Sequence, residues 1–289
     1  MPAFNRALCG YFLCSFAFAY QELGHEVEQG LNDLLDAFGS QLYQAPKFST
    51  GDRVANWRES DGVNPEEMGE YPEGDILFPL RDSAARNGIT TLSSRWKRGK
   101  IPYVISGSFS YQDRQMLDRA FDEYARLTCI RFVPRSTETD YLYITSENTG
   151  CWSSVGKIGG AQQLNLQSPG CLTQLGTVMH ELMHAIGFMH EQNRWERNRY
   201  VTIKFENIEP GKEINFEKAK RKTTDGQGIE YDYSSVMHYS GTAFSINEQP
   251  TIVAKVPGVK LGQRVNLSRK DVKKIRRMYR CNKGVSNIN

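Results

Sequence analysis

Residues 180–191 read HELMHAIGFMHE, and the spacing of their histidines limits what this chain can fold into more than any other stretch. On an α-helix, which turns about 100° per residue, His180 and His184 lie about 40° apart on one face, but His190 falls about 240° beyond His184. Three imidazoles on one continuous helix cannot converge on a point. Gly187 removes the conflict, because glycine tolerates the positive φ that ends a helix and turns the chain back. The spacing therefore predicts a helix broken at Gly187 and a reversal that swings His190 in from below.

Two imidazoles one turn apart grip one zinc ion, and the glutamate between them reaches the metal-bound water. His180, His184 and His190 are the candidate ligands of a single Zn2+, and Glu181 is the candidate general base. A satisfied core histidine explains any one of the three, but not all three at H-E-x-x-H-x-x-G-x-x-H spacing. Zinc lowers the pKa of its water from roughly 16 toward 7 and polarises a carbonyl under attack. Glu181 would take that water's proton and pass it to a leaving amine. The chemistry is peptide hydrolysis.

At 289 residues and 39% apolar content the chain can fold as one large domain or two modest ones. Residues 1–19 place Arg6 before an apolar run from Ala7 to Ala19 that ends in Ala17-Phe18-Ala19, a small-x-small cleavage pattern. About 13 apolar residues fall short of the roughly 20 that span a bilayer, so the stretch reads as a secretory signal rather than an anchor. No other segment reads as a membrane span. Cys9 and Cys14 would leave with it. Cys129, Cys151, Cys171 and Cys281 then remain as an even set in an oxidising compartment, with three possible pairings.

The formal charge of +3 hides an asymmetry: residues 1–86 carry 6 basic and 14 acidic side chains, residues 87–289 carry 30 and 19. The acidic front either docks on the basic remainder or is simply a second solvated surface. No nucleic-acid-binding motif accompanies the basic part. From Gln21 to Arg86 the chain is charged and turn-rich, an appendage with one helical stripe, Leu23, Val27, Leu31, Leu34, Leu35 and Phe38. His25 there reads as solvated. Beyond Arg86, residues 101–106 are strand-like, 111–128 repeat apolar residues at helical intervals, and IRFVP and DYLYITS alternate as strands. Residues 173–186 form a second helix. The chain then turns irregular until a final helix, where Ser268 can cap and Val272, Ile275, Met278 and Tyr279 face inward. Asn266-Leu267-Ser268 is either a glycan acceptor or the cap of that helix.

HELMHAIGFMHE with Gln192 and Arg194, Ser235-Val236-Met237-His238-Tyr239, IPY (101–103), CIRFVPR (129–135), CW (151–152) and GAQQ (160–163) together resemble the astacin family of metzincin endopeptidases over residues 87–281. The resemblance implies an α+β, zincin-like catalytic domain: a twisted mixed five-stranded sheet, two long helices above it, and an irregular C-terminal half with a final helix. The cleft would lie between residues 87–187 and 188–289. Met237 would be the hydrophobic floor beneath the histidines. Tyr239 would be a further zinc ligand at rest that swings out to the transition-state oxyanion. Glu191, by itself an exposed acid, would pair with a new N-terminal amine after maturation. Family pairing joins Cys129 with Cys281 and Cys151 with Cys171. The strand at 160–166 resembles the sheet edge on which extended substrates lie antiparallel.

Residues 20–86 would then be a propeptide. Family propeptides carry Phe-x-Gly-Asp with the aspartate on zinc; here Pro72-Glu73-Gly74-Asp75 makes Asp75 the candidate ligand of the zymogen. Cleavage after Arg86 by a trypsin-like protease would free Asn87, with Arg81 as a competing site. Only eight residues follow Cys281, so no accessory module is expected. The implied protein is secreted and monomeric, acts on protein or peptide substrates in a hatching-type or digestive role, and needs neither nucleic acid nor a membrane anchor. Family members often favour an acidic residue after the scissile bond. The rival readings are a catalytically silent adhesion or egg-coat protein, which loss of Glu181 would have favoured, and a structural zinc site with four filled positions.

Overall fold

The structure is a computed structural model that describes residues 33–34, 36–78, 95–220 and 226–281. The predicted signal segment, His25, Arg81, Arg86, Asn87 and the residues after Cys281 lie outside them.

Five strands form the main sheet: β1 (Lys100–Ile105), β2 (Arg131–Pro134), β3 (Tyr141–Thr145), β4 (Cys151–Ser153) and β5 (Ala161–Leu166). Their spatial order is β2-β1-β3-β5-β4, and all pairings are parallel except β4 with β5. The sheet is mixed, as expected, but its edge differs. The strand expected to be the edge, β5, is covered by β4, which returns antiparallel outside it and is tied down by the Cys151–Cys171 disulfide. A three-residue strand is too short to show periodicity, which is why the sequence conceals it.

The first long helix, Tyr111–Leu127, starts in a reciprocal cap: Ser110 Oγ accepts from Asp113 N (3.2 Å) and the Asp113 carboxylate accepts from Ser110 N (2.9 Å). It buries Leu117, Ala120, Phe121 and Tyr124, and the Tyr124 hydroxyl donates to the carbonyl of Met179 (2.7 Å) in the helix that carries the histidines. That histidine helix, Leu175–Ala185, is buried from Gly176 onward. Gly176 is required for close approach, since a Cβ there would stand 2.3 Å from the carbonyl oxygen of Arg264. The C-terminal half is mostly irregular, with a two-stranded ladder, Val201–Ile203 against Ile252–Ala254, and a second apolar cluster around Phe216, Tyr231 and Tyr239. Ser268 caps the final helix, Arg269–Met278, as expected; Ile275 and Met278 are buried on it, Val272 and Tyr279 half-buried.

The front segment is not an appendage. Its helix Phe48–Asn56 seats Gly51 against Asn148, and Leu34, Phe38, Leu42, Ile76 and Phe78 share a core with Val155. Where Pro72 replaces the expected phenylalanine, the neighbouring Tyr71 supplies the anchor: its ring meets Trp152 edge-on (6.2 Å between centroids), and its hydroxyl donates to Thr149 O (2.8 Å). The charge asymmetry is used in docking. Glu66 is ion-paired to Arg264 with both side chains fully buried, and Glu67 accepts from Ser240 N and Oγ.

Both disulfides follow the family pairing. Cys129–Cys281 spans 152 residues and ties the end of the final helix to the sheet half. Replacing both cysteines by serine should lower unfolding free energy by about 5 kcal/mol in the chain-entropy account. Urea denaturation of parent and variant measures it, and a loss under about 1 kcal/mol would contradict that account.

Candidate metal centre

The histidine helix ends as the sequence requires. Gly187 has φ +108°, Gly187 N donates to His184 O (2.8 Å) and Phe188 N to Met183 O (3.1 Å), the paired bonds of a left-handed C-terminal cap. The reversal returns His190 to the helix. Nε2 of His180 and of His190 are 3.3 Å apart, and Asp75 from the front segment completes a buried group in which all ligand atoms lie within 4.8 Å of one another.

Each imidazole is held by its other nitrogen. His180 Nδ1 donates to the carbonyl of Val236 (2.8 Å) and His184 Nδ1 to that of Phe188 (2.7 Å). A carbonyl only accepts, so both protons sit on Nδ1 and both Nε2 lone pairs point inward. His190 Nδ1 faces the Glu73 carboxylate (2.6 Å), an acceptor contributed by the front segment. Asp75 Oδ2 lies 2.9 Å from His180 Nε2 and 3.3 Å from His190 Nε2, and Oδ1 lies 3.5 Å from His184 Nε2. Four ligands at about 2.0–2.1 Å from a tetrahedral ion stand about 3.3 Å apart. The observed spacings fit that ion. Asp75 Oδ1 and His184 Nε2 are also buried without a hydrogen-bond partner, as ligand atoms would be.

The charges in the group act strongly on one another. Burial raises the Asp75 carboxyl pKa, but the His190 and His184 charges outweigh it and hold the group well below the usual carboxylate range. Burial, with Arg264 nearby, pushes His180 down to about 3; burial also opposes charge on His190, yet Asp75 and Glu73 bring it up to about 9. Glu181 projects from the histidine helix with both carboxylate oxygens buried and unpartnered, and burial followed by Asp75 raises its pKa well above normal.

Tyr239 lies beside the ligand group with its hydroxyl engaged elsewhere. Its ring packs 4.6 Å from that of His190, but its hydroxyl donates to the carbonyl of Glu73 (2.5 Å). Met237 is buried in the main core, and its carbonyl accepts from Glu191 N (3.1 Å). Glu191 is not an exposed acid. It is 4% exposed and binds Lys274 Nζ (2.6 Å), Arg194 Nη1 (3.0 Å) and Asp232 N (2.8 Å).

Residues 88–280 match the profile of the astacin peptidase family. The chain belongs to the astacin family. It is 45% identical over 221 residues to zinc metalloproteinase nas-8 of Steinernema carpocapsae, covering 73% of this chain and 52% of that protein. To zinc metalloproteinase nas-13 of Caenorhabditis elegans it is 39% identical over 263 residues, covering 91% and 56%. The chain thus spans about half the length of these curated relatives. Among solved structures, High choriolytic enzyme 1, a hatching enzyme zinc-protease from Oryzias latipes, is 41% identical with a TM-score of 0.62, covering 66% of this chain and 96% of that one. In this astacin chain the three histidines and Asp75 form the zinc-binding group.

Several supporting residues escaped sequence reading. Asp271 on the final helix accepts from Val236 N (2.9 Å) and Ser235 Oγ (2.6 Å), and so steadies the carbonyl that orients His180. One turn later, Lys274 steadies Glu191 beside His190. Ser268, Asp271 and Lys274 form a helix-start pattern, but nothing local marks the last two as supports of a distant site. Lys274→Met should weaken zinc affinity by 10- to 100-fold, in the range of lost outer-shell contacts, measured by chelator competition. Affinity equal to the parent would show that the final helix plays no part in ordering the centre.

Proposed function

We propose that this chain is the latent precursor of a secreted zinc endopeptidase, with residues 1–19 a signal peptide, 20–86 an inhibitory propeptide, and 87–289 the catalytic domain freed by cleavage between Arg86 and Asn87. The observation that carries this reading is the origin of Asp75. Three ligands come from residues 180–190, and the fourth arrives from a segment before the family domain, in the position that a catalytic site leaves to solvent. The course of the front segment supports it. Ile76 pairs with Ser153 of β4 in parallel, with Ser153 N donating to Asp75 O (2.9 Å) and Leu77 N to Ser153 O (3.1 Å). A substrate expected to run antiparallel would have the opposite polarity, so the segment fills the cleft without offering a bond in productive orientation.

Zinc in this site would polarise the scissile carbonyl and acidify water. Glu181 would accept the attacking water's proton on a carboxylate oxygen and deliver it to the leaving nitrogen. Tyr239, released from the Glu73 carbonyl, would donate its hydroxyl hydrogen bond to the oxyanion. Strand β4 would hold an extended substrate by main-chain hydrogen bonds. Arg264, released from Glu66, would offer a buried guanidinium to an acidic substrate side chain. Glu191 would receive the new terminal amine of Asn87 among its present partners. The two disulfides support an oxidising, extracellular setting. The likeness to a hatching enzyme supports a hatching-type role, with digestion as its alternative.

Cleavage of a denatured protein, followed before and after trypsin treatment and with or without a chelator, tests this function. Glu181→Gln should lower kcat/KM by at least about 100-fold while zinc content is retained. Asp75→Ala should cut substrate without processing. Equal rates for Glu181→Gln and the parent would overturn the mechanism, and zinc-loaded protein that never cuts would favour the adhesion reading. Arg264→Leu should lower cleavage of peptides with an acidic residue after the scissile bond about 10-fold or more relative to neutral ones, the scale of a charged hydrogen bond. Unchanged selectivity would place the acidic preference elsewhere.

A further inference from the structure

The final helix has two faces of different chemistry. At about 100° per residue, Asp271, Lys274, Ile275 and Met278 gather on the buried side. Arg269, Lys270, Lys273, Arg276 and Arg277 fall within about 120° on the opposite side, and exposed Arg280 follows just beyond the helix. No acidic residue of the helix shares that outward face. Lys273 has a cation four residues before it (Arg269), three after it (Arg276) and four after it (Arg277), spacings at which like charges oppose helix formation. Among the described residues, the preceding loop approaches this face: Glu230 stands 3.5 Å from Lys270, whose Nζ also donates to the Tyr231 carbonyl (2.9 Å), and Arg277 donates to the Gln227 carbonyl.

A second segment extends the surface. Arg95 Nη1 donates to Met278 O (2.8 Å), which places the turn before β1 at the end of this helix, and the next residues, Trp96, Lys97 and Arg98, alternate from buried indole to exposed cations. Gly99 then closes on the carbonyl of Cys129, whose disulfide partner Cys281 follows the helix. Arg98 has φ +55°, so a long cationic side chain stands where glycine is ordinarily preferred.

We propose that the outward face of the final helix, continued by Lys97 and Arg98, docks a sulfated glycosaminoglycan. The proposal rests on the reading of the chain as a secreted protein, because that setting supplies sulfated polysaccharide rather than nucleic acid. The surface agrees with this choice: Trp96 is buried and Tyr279 half-buried, so the face offers cations without the exposed aromatic rings on which bases stack. The helix presents its opposite side to the supports of His180 and His190, so a polyanion bound outside does not enter the cleft. The bound chain would be concentrated on extracellular matrix and, once processed, still able to take substrate.

The test is heparin binding by the full chain, as a function of NaCl, for the parent and for a variant carrying Arg269→Gln, Lys273→Gln and Arg277→Gln. The parent should bind at 0.15 M NaCl, a concentration of roughly physiological strength, and the variant about 10-fold or more weakly. Each lost contact should also reduce the slope of log affinity against log salt by roughly 0.7–0.9, the range known for phosphate polyanions. Arg269→Lys with Arg277→Lys should retain parental binding. Should the triple variant fail to fold, Lys273→Gln alone must still flatten the slope by nearly one contact. Parental affinity and slope in the glutamine variants would overturn the proposal, as would duplex DNA of equal charge binding as tightly as heparin. Peptidase assays after trypsin treatment of the same preparations separate the two readings: heparin binding lost in the variant with no peptidase in either protein would sink the enzyme reading and leave this surface standing.

Discussion

The structure depends on three imidazole Nε2 atoms being turned toward one point. An imidazole is free to rotate and to place its proton on either nitrogen, so spacing along the chain cannot secure this by itself. Acceptors on the far side of each ring do. The carbonyls of Val236 and Phe188 hold the protons of His180 and His184 on Nδ1, and the Glu73 carboxylate holds the Nδ1 side of His190. With those nitrogens engaged, the lone pairs converge with the Asp75 carboxylate, and a divalent cation held among them would compensate that buried charge.

That requirement organises the rest of the fold. The Phe188 carbonyl is local to the helix cap, but the Val236 carbonyl comes from a loop that Asp271 of the final helix holds in place. The same helix reaches the neighbour of His190 through Lys274 and Glu191. The Cys129–Cys281 bridge then fastens the end of this helix to the sheet half. A short element near the C-terminal end of the family domain is thereby coupled to a site about 90 residues earlier in sequence. Its inward side has little freedom to vary. Its outward side is free of that duty, and carries the cations.

The front segment enters the same arrangement through side chains that satisfy groups of the domain. Asp75 faces the three histidines, Glu73 holds one of them and occupies Tyr239, and Glu66 neutralises a fully buried Arg264. A guanidinium buried beside the cleft is stable only with such a partner or with solvent in its place. Withdrawal of the segment would therefore change the environment of the three histidines, Tyr239 and Arg264 at once.

Much of this was legible in residue order because it is local. The three-histidine spacing, the reversal at Gly187, the helix at Tyr111–Leu127 and the Ser268 cap involve bonds within a few residues, and their geometry is set by helix pitch and by glycine's access to positive φ. The disulfide pairing and the ligand role of Asp75 were legible only through family resemblance. Tertiary structure alone decided that β4 rather than β5 is the edge, that Tyr71 anchors where Pro72 stands, and that Glu66 meets Arg264 across 198 residues. The physical reason is that a carbonyl acceptor has no side-chain signature, and a carboxylate has no preferred cation until folding closes the loop between them.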